Sequence, residues 1–386
     1  MKKVGIITIF NVDNYGAELQ ACATQKALNL MGYDAEIVNY PYFVSPRHKS
    51  TRMSNPVLPI PLKLRVIKKM LPFINWVKSL RQTGKVVKAR KNNFSSFHTE
   101  NTKLSPEYRT MESLYANAVD YDAYIVGSDQ VWNPLNNTSL DPYFLKFAPK
   151  GRRRLSYASS IGLSSLPEYA HNYYRDALNG LDSISVREEN AVALVKEVSG
   201  RDAKWVLDPT LLLNADDWSK VAKPHALISQ MKEKYVLLYE LTPCSYLKTL
   251  ALHVAKEKGL KIVRINKDTV RMEQDEEIVN IMDAGPAEFL WLFQNADFVV
   301  TNSFHGTAFS INMNKDFYVV TPARKQNNSR QQSILRLFNL TDRLLLEDTT
   351  LPQPSTFAID YSPVNMKLAE ERTSCKNFIK QAIDGE

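Results

Sequence analysis

The stretch Phe298-Val299-Val300-Thr301-Asn302-Ser303-Phe304-His305-Gly306-Thr307 decides the fold. An apolar, β-branched run breaks into a polar loop holding a histidine, and the glycine that follows permits close backbone approach. That is the pattern of a buried strand feeding the next element. In an open parallel sheet, ligands bind where strands end and the chain turns into the following helix. Histidine is the usual acid or base near neutral pH. His305 is therefore a candidate acid/base, with Asn302, Ser303 and Gly306 around it. A structural, hydrogen-bonding histidine fits the same position. His48, His98, His171, His225 and His253 occupy no comparable strand end.

Outward from this stretch the same alternation runs through the chain. Strands are expected at Val4–Phe10, Ala35–Asn39, Ala123–Val126, Leu155–Ser159, Ser183–Val186 and Trp205–Leu207. A second series is expected at Tyr235–Leu241, Lys261–Ile265, Phe298–Thr301 and Phe317–Val320. Between strands lie helical patterns such as Ala17–Met31, and Asn365–Ile383 closes the chain. Strands alternating with helices argue for parallel sheets covered on both faces. The expected class is α/β, with two domains facing across a cleft. The polar stretch Asn214–Lys234, with Pro224 inside it, is the expected junction.

A length of 386 residues exceeds what one core usually serves, which agrees with two domains. No apolar run approaches the roughly 18–20 residues of a membrane-crossing helix. Asn11 and Asp13 interrupt the apolar start, so a buried strand is expected there and not a signal peptide. Cys22, Cys244 and Cys375 form no motif, which points to a reducing cytoplasm. The net charge of +8 is unevenly spread. No Asp or Glu occurs between Asn39 and Thr99, whereas thirteen Lys and Arg do, so the rest of the chain is net acidic. A nucleic-acid binder that is basic throughout would look different, and no nucleic-acid partner is expected.

Three further strand ends carry polar groups. After the first strand comes Asn11-Val12-Asp13-Asn14-Tyr15-Gly16-Ala17-Glu18, where a helix N-terminus would offer backbone N–H groups to an anion. A plain turn capped by Asn14 fits it too. The loop Gly127-Ser128-Asp129-Gln130-Val131-Trp132-Asn133 offers donors and acceptors for sugar hydroxyls, and also reads as a capped helix start. Arg187, in Ser185-Val186-Arg187-Glu188-Glu189-Asn190, would aim a guanidinium at the cleft, or else pair with a neighbouring glutamate. No two glycines are separated by a single residue, so a dinucleotide fingerprint is absent. Asp120-Tyr121-Asp122 precedes its strand, at the wrong end of a parallel sheet for a metal site. No metal and no cofactor are expected.

These loops, together with Leu207-Asp208-Pro209-Thr210-Leu211-Leu212, resemble the polysaccharide pyruvyl transferase family in motif and in order, over about residues 4–345. The resemblance implies two Rossmann-like domains similar to the GT-B arrangement. On that reading residues 1–215 are the acceptor side, with a basic insertion at about 45–95. Residues 216–234 are the linker, 235–345 the donor side, and 346–386 a tail helix packing back on the body. It also implies transfer of a pyruvyl group from phosphoenolpyruvate, as donor substrate, to a saccharide as a ketal in cell-surface polysaccharide (exopolysaccharide or capsule) biosynthesis.

Carried over, His305 is the catalytic residue, and Arg187, Asn302, Ser303 and Gly306 face the donor. Some members have arginine two residues before the histidine, where this chain has Ser303; Arg324, Lys325 and Arg330 would supply that charge. Asn14, Tyr15, Gly16, Ser128, Asp129, Gln130, Trp132 and Asn133 are expected on the acceptor. Residues 62–91 read as short basic-amphipathic pieces split by Pro72, suited to a packed helix or to an anionic membrane surface bearing a lipid-linked acceptor. The location would then be cytoplasmic or peripheral at the membrane. The alternatives are a GT-B-like glycosyltransferase using a nucleotide sugar, and a catalytically silent saccharide-binding relative.

Overall fold

The computed structural model describes residues 1–40, 84–135, 139–266, 275–322 and 329–385. Most of the acid-free basic stretch, with Arg324 and Lys325, lies outside the described residues.

The first half begins with strand β1 (Lys3–Ile7), helix α1 (Tyr15–Leu30) and β2 (Asp34–Ile37). Helices α2 (Gly84–Asn101) and α3 (Met111–Asn117) precede β3 (Ala123–Val126) and β4 (Arg153–Ser156). Helix α4 (His171–Asn179), β5 (Ser185–Val186), α5 (Glu189–Ser199) and β6 (Lys204–Trp205) follow. The sheet order is β2-β1-β3-β4, all parallel. Single bridges from Leu155 to Ser183 and from Ser159 to Val186 carry it on toward the parallel pair β5-β6.

In the second half, helix α6 (Ala215–Ser219) leads to β7 (Tyr235–Glu240), α7 (Ser245–Lys258), β8 (Lys261–Asn266) and β9 (Ile278–Ile281). Then come α8 (Pro286–Asn295), β10 (Phe298–Thr301), α9 (Phe304–Asn312), β11 (Phe317–Thr321), α10 (Ser329–Leu337), β12 (Leu344–Leu346) and α11 (Tyr361–Asp384). The order β12-β11-β10-β7-β8-β9 is parallel throughout and is the doubly wound Rossmann order read from the other edge. Every residue of β3, β7, β10 and β11 is buried, as a sheet covered on both faces requires. The expected class was α/β, and the described residues form parallel sheets of that class: one of four strands, one of six and the short pair β5-β6.

Two strands escaped the sequence reading. β9 buries only Ile278 and Ile281 fully, and β12 buries none of its leucines fully, so neither shows the continuous apolar run of an inner strand. The stretch after Asn214 is more structured than its polarity suggests. Asn214 caps α6, and Trp218 is buried against Phe309 with its ring nitrogen bonded to Thr210 O at 3.0 Å.

Strand order fixes where ligands can go. Sheet order reverses between β1 and β3 in the first sheet and between β7 and β10 in the second, and each reversal opens a crevice at the carboxyl ends of its strands. Three elements hold the crevices face to face. α1 is buried along most of its length between the halves. α2 buries Arg90, Phe94 and Phe97 at helical spacing while Lys85, Lys88 and Lys91 stay exposed. α11 returns to the first half, where Arg372 Nε donates to Leu211 O at 2.6 Å and Cys375 Sγ accepts from Leu207 N at 3.3 Å.

Candidate active site

A cavity of ≈ 390 Å³ opens where the two crevices meet. Ile9, Val12, Asp13, Asn14 and Ala17 line it after β1, and Asp129 and Gln130 after β3. Leu241 follows β7, Ser303, Phe304 and His305 follow β10, and Arg330 and Gln331 come from α10.

His305 sits in the first turn of α9, whose cap Ser303 accepts a hydrogen bond from Gly306 N at 3.3 Å. The imidazole lies directly on Gly16 of the opposite half: a Cβ built there would stand 2.0 Å from His305 Nδ1. Glycine is needed here for space. On its other side, His305 Nε2 lies 3.7 Å from Asp208 Oδ2 and has no hydrogen-bond partner among the described residues.

Asp208 is wholly enclosed and over-determined. Oδ1 accepts from Thr210 N (3.0 Å) and Thr210 Oγ1 (2.7 Å), and Oδ2 from Ser128 Oγ (3.1 Å) and Arg187 Nη1 (2.9 Å). Burial alone would raise its pKa, but His305, Arg187 and the Thr210 N–H together outweigh burial and hold the carboxyl far below the usual range. Asp129, in left-handed backbone at φ 63°, takes Arg187 Nη2 at 3.2 Å. Its burial is likewise outweighed, by Arg187, His305 and Arg330, and its pKa is lowered.

Arg187 therefore ends its strand as expected, with its guanidinium turned elsewhere. Both prongs engage Asp129 and Asp208, its carbon centre stands 4.7 Å from the Phe304 ring, and it is absent from the cavity wall. Burial opposes its charge, but the carboxylates prevail and push its pKa up. Among the described residues the arginine on the wall is Arg330, whose pKa is lowered by burial and then by Arg187. The Gln130 amide reaches Asn133 Nδ2 (2.7 Å) and the Arg330 guanidinium (3.0 Å).

The polysaccharide pyruvyl transferase family model matches residues 14–324. The chain belongs to that family. No curated protein sequence matches it. Among solved structures it is similar to UDP-GlcNAc 2-epimerase from Methanocaldococcus jannaschii (TM-score 0.46, 10% identity, 97% of this chain and 93% of that one). It is also similar to the same enzyme from Neisseria meningitidis bound to UDP-GlcNAc (TM-score 0.47, 8% identity, 100% and 98%).

Not every residue carried over from the pyruvyl transferase motifs reaches the cavity. Trp132 is a core residue: fully enclosed, it stacks on Phe144 at 5.0 Å and donates to Tyr143 O at 2.7 Å. Tyr15 is buried too, stacked on Phe289 at 4.6 Å, with its hydroxyl donating to Ala284 O at 2.8 Å. The indole and the phenol, expected on the acceptor, turn inward because burying the apolar rings is worth more than a loop contact. Ser128 is enclosed behind Asp208, and Asn133 braces Gln130. Asn302 fastens two strand ends, accepting from Leu241 N and donating to Thr242 O, each at 2.7 Å. Gly306 packs on Thr301, and Arg324 lies outside the described residues.

Asp13, Phe304, Gln331 and Asp208 are site residues that the sequence reading did not assign. Asp13, Phe304 and Asp208 each lie in a strand-end stretch quoted above, and Gln331 lies in none.

Proposed function

We propose that the chain moves a pyruvyl group from phosphoenolpyruvate to a saccharide, forming a ketal and releasing phosphate. The observation that carries this reading is His305 set on the cavity wall between Gly16 and Asp208, with the cation of Arg330 on the same wall.

Phosphoenolpyruvate carries a phosphate and a carboxylate, so its site needs cationic donors and helix N-termini more than a nucleotide groove. Arg330 and the capped N-terminus of α9 answer that need. Chemistry begins when a proton reaches the donor's methylene carbon, which becomes methyl and leaves C2 electrophilic. One sugar hydroxyl adds to C2 and gives up its proton. A second hydroxyl then displaces phosphate, closes the ketal and gives up its own proton; one of the two protons balances the one consumed and the other leaves with phosphate. His305 delivers the first proton and collects a later one, a role worth about 10²–10⁴ in rate. Gly16 packs against the ring, and Asp208, 3.7 Å from Nε2, supplies the opposite charge while both ring nitrogens hold protons. Arg187 acts from behind by fixing both aspartates. Asn14, Asp129 and Gln130 face the acceptor.

The acceptor we favour is lipid-linked, supported by the solvated basic face Lys85, Lys88 and Lys91 of α2. No described helix is long and apolar enough to cross a membrane. Binding to anionic vesicles at low salt is the expected result, and failure to bind removes the lipid reading.

The deciding experiment incubates the protein with phosphoenolpyruvate and a panel of free and lipid-linked saccharides, following phosphate release and a pyruvate mass gain. Both should depend on both substrates. Release of a nucleoside diphosphate from a nucleotide sugar instead would replace this reading with glycosyl transfer.

A further inference from the structure

One carboxylate on the cavity wall has an open oxygen and an unusual support. Asp13, in the loop after β1, lines the cavity with a side chain 53% exposed. Arg90 Nε holds its Oδ1 at 2.9 Å, and no partner engages Oδ2 among the described residues. Asp129, the other wall carboxylate, is already engaged by Arg187.

Arg90 is 2% exposed. Its guanidinium lies against the rings of Tyr15 (4.7 Å) and Phe94 (5.1 Å), and Nη1 donates to the Tyr15 hydroxyl at 2.6 Å. Nη2 is buried without a partner among the described residues. α2 is itself seated across the halves, with Asn93 Nδ2 donating to Asp283 O at 2.9 Å. An enclosed cation is costly unless paired, and an ordinary surface ion pair would not require burying one partner so deeply. The arrangement holds Asp13 at one orientation on the cavity wall and leaves Oδ2 without a partner among the described residues.

We infer that Asp13, oriented by Arg90, binds a hydroxyl of the saccharide acceptor. The inference rests on the proposed function for the acceptor's class. Charge sorts the two substrates: a carboxylate repels an anionic donor and forms a strong, charge-assisted hydrogen bond with a neutral hydroxyl. Arg330 and His305 are left to the donor. Arg90 is a positioning residue, acting through Asp13.

The test measures binding of methyl glucopyranoside, methyl galactopyranoside and methyl mannopyranoside by saturation-transfer NMR and calorimetry, with phosphoenolpyruvate affinity in parallel. Asp13→Asn should weaken the best-binding sugar about tenfold or more and leave phosphoenolpyruvate affinity unchanged. Arg90→Lys should shift sugar affinity in the same direction; a purely structural Arg90 would lower the melting temperature and leave sugar affinity alone. Wild-type sugar affinity in Asp13→Asn, a loss falling on phosphoenolpyruvate instead, or no sugar binding by the wild type would each overturn the inference. Sugar binding that depends on Asp13 without any phosphoenolpyruvate-dependent phosphate release would support it while removing the donor reading.

Discussion

Gly16 and His305, on different halves of the molecule, are in direct contact: the ring occupies the space a side chain at position 16 would fill, 2.0 Å from a Cβ built there. The glycine of the first motif and the histidine of the last are thus two sides of one contact. Gly16→Ala adds a methyl where the neighbour is a ring wedged against Asp208. Helix propensity favours alanine by about 1 kcal/mol, but overpacking costs about 1–3 kcal/mol, so the clash should win. We expect lower stability in urea together with loss of phosphate release. Adding His305→Ala to Gly16→Ala should recover stability, and strictly additive effects in that cycle would contradict the contact.

His305→Ala by itself should lower pyruvylation by about 10²–10⁴ while the circular dichroism spectrum stays native. Wild-type turnover would remove His305 from the chemistry.

Asp208→Asn tests the enclosed carboxylate. Its folded-state pKa lies below the unfolded one, so the stability it contributes is present above about pH 3.9 and drains away as pH falls toward the folded value. The variant should lose about 3–5 kcal/mol near neutral pH, because Arg187 keeps only Asp129 as partner. Its stability should also fall less steeply than the wild type's below pH 4. A parallel acid limb in the two proteins would mean the carboxyl is not held ionised.

Arg330→Met separates function from stability. Burial and Arg187 both disfavour the Arg330 charge, so its removal should leave the melting temperature equal or higher. The KM for phosphoenolpyruvate should rise at least about tenfold, the loss expected for a charged hydrogen bond. Unchanged donor KM would move the donor elsewhere.

Trp132→Ala should behave as a core deletion, costing about 3–5 kcal/mol through the cavity left beside Phe144. Acceptor KM, measured on whatever fraction stays folded, should remain unchanged. A selective rise in acceptor KM would restore Trp132 to the sugar site.

Much of the fold was legible because its signals are local. Ala123–Val126 and Phe298–Thr301 begin and end where their apolar runs do, since inner parallel strands bury both faces. β9 and β12 were not legible, being edge strands with half-solvated residues. At the site, the positions of Arg187, Asp129 and His305 at strand ends could be read, but their partners could not.

What the sequence determined by itself is where most of the strands lie, the Asn14 cap on α1, and the family those motifs belong to. Each depends on neighbours a few residues apart. Tertiary structure alone decided that Arg187 spends its charge on Asp129 and Asp208, that Trp132 and Tyr15 turn inward, and that Asp13 faces the cavity with Arg90 behind it. Those outcomes depend on which groups the paired sheets bring within hydrogen-bonding range, and on the high cost of burying a charge without its opposite. Residues as far apart as Gly16 and His305 settle that only when the chain closes.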